Sequence, residues 1–158
     1  MEIRPLQQKD RTRLQSILIS TRFFTPEEVE VAMEVIDIVL TDPNQRDYKI
    51  DCMVDDQDQA IGYICYGPVP LTQSTFDLYW IAVDPTFQGE GIGSKLLDFL
   101  EKNLRDMGGR MILADTSSIS QYERTQRFYL KEGFQEVARV PDYYSPSNDR
   151  ITYCKRLN

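Results

Sequence analysis

The chain has 158 residues, of which 41% are hydrophobic and 27% are charged, a composition typical of one folded domain with a sizeable core. Its formal net charge of -7 argues against nucleic acid as the main partner, because phosphate binding requires a basic face. The segment Met1–Pro5 lacks the apolar core of a signal peptide, and no stretch is apolar enough to span a bilayer. We therefore expect one domain over residues 1–158, in the cytoplasm, with no membrane partner.

The cysteine and histidine content limits the chemistry. Cys52, Cys65 and Cys154 are far apart, form no C-x-x-C pair and have no histidine to complete a zinc set, so we expect no bound metal. Each lies in a strand-like run and is predicted to be a buried, unreactive thiol. Because the chain has no histidine, any proton acceptor must be a carboxylate, a tyrosine, a water molecule or the substrate itself.

Apolar periodicity and Gly, Pro and Asn breaks predict a mixed α/β sheet with helices on both faces. The predicted strands are Ile3–Pro5, Tyr48–Val54, Ala60–Tyr66, Thr75–Val83, Arg110–Thr116, Phe134–Pro141 and Ile151–Arg156. The predicted helices are Lys9–Ser20, one that begins after Thr25 and ends at Thr41–Asn44, Gly91–Met107 and Gln121–Glu132. Thr25, Pro26 and Glu28 have the types and spacing of an N-cap, a first-turn proline and a capping-box glutamate. The acidic turn Asp55–Gln59 lacks the glycine and glutamate spacing of a calcium loop and is predicted to be a solvated hairpin tip.

One segment carries the clearest functional signal. A strand that ends in Val83-Asp84-Pro85 is followed by Gln88-Gly89-Glu90-Gly91-Ile92-Gly93-Ser94 and then by a helix. Alternate glycines let the backbone approach a ligand closely, and their amides, with the first amides of the helix, can bind an anion such as a pyrophosphate. The dinucleotide fingerprint requires glycine in place of Ser94, and the P-loop pattern is absent too. The alternative is an ordinary glycine-rich turn.

This glycine loop, Gln88 to Ser94, has the pattern Q-x-x-G-x-G and resembles the coenzyme A pyrophosphate loop of the GCN5-related N-acetyltransferases (GNAT). The segment Tyr122–Phe134 resembles a helix signature of the same family, with Tyr129 four residues before Gly133-Phe134. Gly133 is independently predicted to be a helix C-cap. The order and separation of the two segments also match. The resemblance covers nearly the whole chain and implies a single GNAT domain over residues 1–158, with a mixed, mostly antiparallel sheet flanked by helices on both faces.

The resemblance implies acetyl-coenzyme A as the cosubstrate and gives roles to individual residues. The main chain of Ile81, Ala82 and Val83 would pair with the pantetheine arm and face the thioester oxygen, and the glycine loop would hold the pyrophosphate. Tyr129 stands at the family's general-acid position, where a phenol protonates the coenzyme A thiolate. The alternative for Tyr129 is a core tyrosine that is bonded to a carbonyl. Tyr122 replaces a common asparagine, so Tyr122 or Ser117 would take over its contact to the cofactor.

Two aspartates are candidates for the proton acceptor. Asp115 lies where amino-terminal acetyltransferases carry a glutamate on the fifth strand, and Asp77 lies near where other members carry one on the fourth. Strand alternation predicts two faces for the central strand, with Asp77, Tyr79, Ile81 and Val83 on one and Phe76, Leu78, Trp80 and Ala82 on the other. Each aspartate also fits a structural role at a strand end. Asp115 is preferred, acting through a water molecule, because aspartate is one methylene shorter than glutamate.

The resemblance and these residues together imply an acetyl-coenzyme A dependent N-acetyltransferase that acts by direct attack in a ternary complex. The acceptor would be a primary amine of a small molecule, an amino acid or a peptide terminus. The alternatives are a catalytically idle acyl-coenzyme A binding module, and an acyltransferase that uses another acyl chain or a hydroxyl acceptor. Acceptor choice is expected to depend on the first two helices, the loop Gly67–Ser74 and the residues around Tyr143 and Tyr144. The sequence does not decide between a monomer and a homodimer.

Overall fold

The computed structural model describes residues 1–158 and contains one seven-stranded sheet with four helices. The strands are β1 (Glu2–Pro5), β2 (Lys49–Val54), β3 (Ala60–Pro68), β4 (Thr75–Val83), β5 (Met111–Ser117), β6 (Gln135–Ser145) and β7 (Asn148–Arg156). The helices are α1 (Arg11–Ser20), α2 (Pro26–Thr41), α3 (Ile92–Asp106) and α4 (Glu123–Lys131). Short 3-10 turns precede α1, the glycine loop and α4, at Gln8–Asp10, Pro85–Phe87 and Ser120–Tyr122.

The predicted mixed, mostly antiparallel sheet is confirmed. The strands lie in the order β1-β2-β3-β4-β5-β7-β6, and only β4 and β5 run parallel to each other. The predicted bounds of β4 agree with the structure, whereas the end of β6 was predicted four residues too early, at Pro141. Pro141 is tolerated in β6 because it lies on an edge strand and within an irregular stretch of pairing between Val140 and Ser145.

The helices cover the two faces of the sheet in pairs. Helices α1 and α2 pack on one face through Leu14, Ile17, Leu18, Ala32, Met33, Val35 and Ile36. Helix α3 and Tyr129 of α4 pack on the other face, where α3 contributes Ile92, Leu96, Leu97, Leu100 and Leu104. Complete burial of one such aliphatic side chain stabilises the fold by about 1.5–3 kcal/mol. Each face of the sheet therefore has its own hydrophobic core.

Local signals fixed the start of α2 as predicted. The amide of Glu28 donates to Oγ1 of Thr25 at 3.2 Å, and the amide of Thr25 donates to Oε2 of Glu28 at 2.9 Å, which completes a capping box. The hairpin tip is exposed at Asp56, Gln57 and Gln59, as predicted, and the structure adds ion pairs at Asp58. Asp58 accepts from Arg4 at 2.6 Å and also pairs with Lys9, so the tip is tied to the N-terminal segment.

The sheet opens at its centre. Strands β4 and β5 pair only from Thr75–Asp77 to Met111–Leu113, although β4 continues to Val83 and β5 continues to Ser117. Beyond Asp77, the edge of β4 that faces β5 therefore has no strand partner. We call this opening the wedge.

A β-bulge overturns the predicted faces of β4. Trp80 pairs with Cys65 and Leu78 pairs with Tyr66, which leaves Tyr79 without a partner on β3. The extra residue shifts the alternation by one. Phe76 and Leu78 consequently share the α3–α4 core with Ile81 and Val83, while Trp80 and Ala82 pack in the α1–α2 core.

The three cysteines do not behave alike. Cys52 and Cys65 are fully buried, and burial raises the pKa of each thiol to about 12, as expected for unreactive thiols. Cys154 is only half-buried, so its prediction as a buried thiol is wrong. None of the four helices combines the length and apolarity needed to cross a membrane.

Candidate active site

The wedge leads into a cavity of about 780 Å³, which is lined by the segment before α2, β4, the glycine loop, β5 and α4. Most of the residues predicted for the site line it: Ile81, Ala82, Val83, Gln88, Gly89, Gly91, Ile92, Gly93, Ser94, Asp115, Tyr122 and Tyr129. Two predicted site residues, Asp77 and Glu90, do not line the cavity. Residues that are distant in sequence thus meet around one space.

The glycine loop forms a row of free amides. Gly89 and Gly91 have φ angles of 87° and 74°, a left-handed conformation that favours glycine. The amide of Gln88 donates to the carbonyl of Pro85 at 3.3 Å, and the next amide that donates to the backbone is that of Lys95, which bonds to the carbonyl of Gly91 at 3.0 Å. The amides from 89 to 94 therefore have no acceptor in the protein, and they lie at the positive end of α3. Such an arrangement suits a phosphate or pyrophosphate.

Side chains of α4 and its C-terminal turn complete this end of the cavity. Nη1 of Arg124 donates to Oε1 of Gln88 at 2.9 Å, and Lys131 also lines the cavity. The hydroxyl of Ser94 donates to Oε1 of Glu132 at 2.5 Å, so Ser94 offers its amide rather than its hydroxyl. Two basic side chains therefore stand beside the row of free amides.

Tyr129 combines a packed ring with a free hydroxyl. The side chain is only 5% exposed, and its ring lies 5.2 Å from that of Phe134 and 5.7 Å from those of Phe128 and Tyr153. The hydroxyl makes no hydrogen bond in the protein and faces the cavity, unlike a core tyrosine that is bonded to a carbonyl. Burial, and then the Asp115 carboxylate, raises the pKa of Tyr129 above its ordinary value. The phenol consequently keeps its proton at neutral pH.

The two candidate aspartates differ in access. Asp115 lines the cavity and accepts a hydrogen bond from Oγ1 of Thr152 at 2.6 Å. Asp77 is half-buried and lies two residues before the bulge at Tyr79. Burial, and then the charge of Asp115, raises the pKa of Asp77, while a hydrogen bond from Tyr79 lowers it. Only Asp115 of the pair reaches the space that Tyr129 faces.

Sequence reasoning missed a contact across the cavity. The hydroxyl of Tyr122 donates to Oε1 and Oε2 of Glu28, at 2.7 and 2.9 Å. Next to it, Nε2 of Gln121 donates to the carbonyl of Phe23 at 2.8 Å. Tyr122 therefore binds the start of α2 rather than the glycine loop. Ser117, the other candidate to replace the family's asparagine, donates to Asn148.

Comparison with known proteins places this arrangement in a family. The acetyltransferase (GNAT) domain model matches residues 49–136. A protein of Desulfovibrio desulfuricans that is assigned to the GNAT family of acetyltransferases is 38% identical, with a TM-score of 0.93 and 99% of each chain covered. No curated protein sequence matches the chain.

Two more distant structures share the fold alone. An aminoglycoside 6'-N-acetyltransferase in complex with coenzyme A is 20% identical, with a TM-score of 0.74, and covers 100% of this chain and 98% of its own. The ribosomal-protein-S18-alanine N-acetyltransferase of Escherichia coli is 19% identical, with a TM-score of 0.75, and covers 99% of this chain and 94% of its own. Since the family model spans more than half of the chain and one relative is 38% identical over nearly its whole length, the chain belongs to the GNAT family of acetyltransferases.

Proposed function

We propose that the protein is an acetyl-coenzyme A dependent N-acetyltransferase that acts on a primary amine. The observation that carries the proposal is that one cavity joins the free amides from 89 to 94 with the Tyr129 hydroxyl and the Asp115 carboxylate. An anion site, a proton donor and a proton acceptor are the parts that acetyl transfer to an amine requires.

The glycine loop would bind the pyrophosphate of the cosubstrate, with Arg124 and Lys131 adding positive charge. The unpaired edge of β4, from Ile81 to Val83, offers main-chain groups to the pantetheine amides and an amide to the thioester oxygen. Backbone donors of this kind each contribute about 10²–10³ in rate in acyl transfer. The chemistry that the cosubstrate supplies is an activated acetyl group with a thiolate leaving group.

Proton transfer would divide between two side chains. Asp115 would accept a proton from the acceptor's ammonium, directly or through a water molecule, and the resulting neutral amine would attack the thioester. The second proton that the nitrogen loses would pass to water. Tyr129 would donate its phenolic proton to the departing thiolate. The carbon–nitrogen bond to the acetyl group forms as the carbon–sulfur bond breaks, and free coenzyme A leaves as the thiol.

A direct test measures release of coenzyme A thiol from acetyl-coenzyme A over a library of amines and peptides, with the product mass as a second readout. Calorimetry with coenzyme A on the same preparation measures binding alone. Turnover with at least one amine supports the proposal. Tight binding without thiol release across the library would identify an idle binding module, and the absence of binding would remove the central assignment.

A further inference from the structure

The charged residues that line the cavity form a basic group and an acidic group. The basic residues are Arg124 and Lys131 of α4, beside the glycine loop, and the acidic residues are Glu28 and Asp115. Neither Glu28 nor Asp115 takes part in an ion pair. Two carboxylates without cationic partners thus line the cavity, and both are close enough to Tyr144 to raise its pKa. We call the part of the cavity at Glu28, Asp115 and Tyr144 the acidic end.

Glu28 is held in a fixed position. Its Oε2 accepts from the amide of Thr25 at 2.9 Å, and both carboxylate oxygens lie within 2.9 Å of the Tyr122 hydroxyl. The neighbouring bond from Gln121 to the carbonyl of Phe23 ties the same two segments together. Because a carboxylate offers about four lone-pair sites, Glu28 keeps capacity to accept from a ligand.

Aromatic side chains surround this acidic end. Phe24, Tyr79, Trp80 and Tyr144 line the cavity, and aromatic faces attract cations. Burial raises the pKa of Tyr144, and Asp115 and Glu28 both raise it further, so the two carboxylates act on the same phenol. Arg150 lowers that pKa, but its guanidinium stacks on the Tyr143 ring at 4.5 Å and does not line the cavity.

A second, independent feature indicates that a ligand occupies this space. Tyr129 is 95% buried, and its hydroxyl faces the cavity with no partner in the protein. Its oxygen is accessible only from the cavity side of an otherwise buried ring, so it can donate to or accept from a molecule bound there. The acidic end is therefore part of a binding cavity rather than a solvated surface.

We propose that Glu28, held by Tyr122, selects an acceptor that carries a second cationic group, an ammonium or a guanidinium, besides the amine that is acetylated. This selection rests on the proposed function, in which Asp115 accepts the proton of the reacting amine. Glu28 is then available to bind the second cationic group. Glu28 is a specificity-determining residue, and Tyr122 is a positioning residue that acts through it.

The test compares matched acceptors. Each α,ω-diaminoalkane of a length series is paired with the amino alcohol of the same chain length, and kcat/KM is measured by thiol release. Wild-type protein is expected to prefer the diamine by about tenfold or more, since a charge-assisted hydrogen bond replaces a neutral one. Glu28→Gln keeps an acceptor oxygen for Thr25 and should remove this preference, mainly by raising KM for the diamine, so that the two acceptors approach the same kcat/KM.

Two variants serve as controls. Glu27→Gln removes the same charge from the same first turn of α2, but Glu27 is exposed and does not line the cavity, so the preference should persist. Tyr122→Phe leaves the charge of Glu28 but removes the hydrogen bond that holds its carboxylate in place. This variant should therefore reduce the preference for the diamine only in part. A merely structural role for Tyr122 would lower the rates with both acceptors equally.

A binding readout separates this inference from the proposed function. Trp80 is the only tryptophan of the chain and lines the cavity, so its fluorescence reports acceptor binding in the presence of coenzyme A. Equal affinity of wild-type protein for the two acceptors, or a preference that survives Glu28→Gln, would overturn the role of Glu28. A preference that Glu28→Gln abolishes, without thiol release from any amine, would keep the cation selection and remove the acetyl transfer.

Discussion

At the scale of single residues, the ring and the hydroxyl of Tyr129 have different surroundings. The ring is fixed by Phe128, Phe134 and Tyr153, so the hydroxyl has a defined position at the cavity wall. Its raised pKa keeps the phenol protonated at neutral pH, so the proton is present when the thiolate departs beside it. A proton donor needs both features, a fixed position and a retained proton.

We expect Tyr129→Phe to lower turnover by about 10²–10⁴, the usual contribution of a positioned general acid. The phenyl ring keeps the packing, so the affinity for coenzyme A and the melting temperature should change little. Tyr153→Phe is the matched control, because Tyr153 belongs to the same aromatic cluster but does not line the cavity. Near-normal turnover of Tyr129→Phe, with chemistry rate-limiting, would return Tyr129 to a packing role.

The raised pKa of Tyr129 also predicts the alkaline side of the pH–rate profile. The phenol donates only while it is protonated, and a raised pKa moves the loss of that proton to higher pH than the ordinary value of about 10. Turnover at saturating substrate should therefore show no decline from Tyr129 between pH 7 and about pH 10. A decline in this range that is absent from Tyr129→Phe would contradict the raised pKa of Tyr129, although not its role as proton donor.

The two aspartates can be separated by the acidic side of the same profile. Asp115→Asn keeps an oxygen that can accept from Thr152, but it removes the proton acceptor, so turnover should fall by about 10²-fold and the acidic limb should flatten. Asp77→Asn should leave the limb in place, because Asp77 does not reach the cavity. If neither variant alters the limb, the amine arrives deprotonated from solvent and both carboxylates are structural.

Some of these residues could be identified from the sequence and others could not, for a physical reason. Tyr129 and Gly133 were found because a helix and its C-cap fix their spacing locally, and the structure gives Gly133 a φ of 87°. The bond from Tyr122 to Glu28 joins residues 94 positions apart, and no local pattern encodes such a contact. The role of Glu28 at the cavity therefore became visible only in the folded chain.

At the scale of secondary-structure elements, β4 shows what alternation alone does not predict. The bounds of β4 follow from its β-branched and aromatic residues and the flanking turns. The bulge at Tyr79 depends on its pairing with β3, and the wedge depends on where pairing with β5 ends. Both are properties of two strands together, so a single strand's sequence does not reveal them.

The glycine loop offers a matched pair of substitutions. Gly91 and Gly108 have φ angles of 74° and 78°, and a Cβ added at either would meet nothing within 4 Å. Valine should therefore strain both backbones similarly, at about 1–2 kcal/mol each. Only Gly91→Val should abolish coenzyme A binding in calorimetry, because Gly108 follows α3 at its other end. Unchanged affinity of Gly91→Val would remove the loop from the site.

At the scale of the whole molecule, the two hydrophobic cores lie on opposite faces of the sheet, and the wedge is an opening in the sheet between them. The α3–α4 core supports the glycine loop and Tyr129, and the α1–α2 core supports the segment that carries Glu28. The contact between Tyr122 and Glu28 links the two sides at the cavity. Under the proposed function, the glycine loop on one side and Glu28 on the other would hold the cosubstrate and the acceptor in one ternary complex.

Because the cavity involves both sides of the sheet, ligand binding should stabilise the fold as a whole. Coenzyme A at 100 times its Kd stabilises the native state by about 2.7 kcal/mol. For a chain of 158 residues this corresponds to a rise in melting temperature of roughly 5–10 °C. Differential scanning calorimetry with and without coenzyme A measures the shift.

The two glycine variants test whether this rise in melting temperature depends on the glycine loop. Gly108→Val should melt at a lower temperature than wild type and still show the full rise with coenzyme A, because its strain lies away from the cavity. Gly91→Val should start from a similarly lowered melting temperature and show no rise. An equal rise in both variants would mean that coenzyme A stabilises the protein through other contacts, such as the unpaired edge of β4, and that the free amides of the loop contribute little to binding.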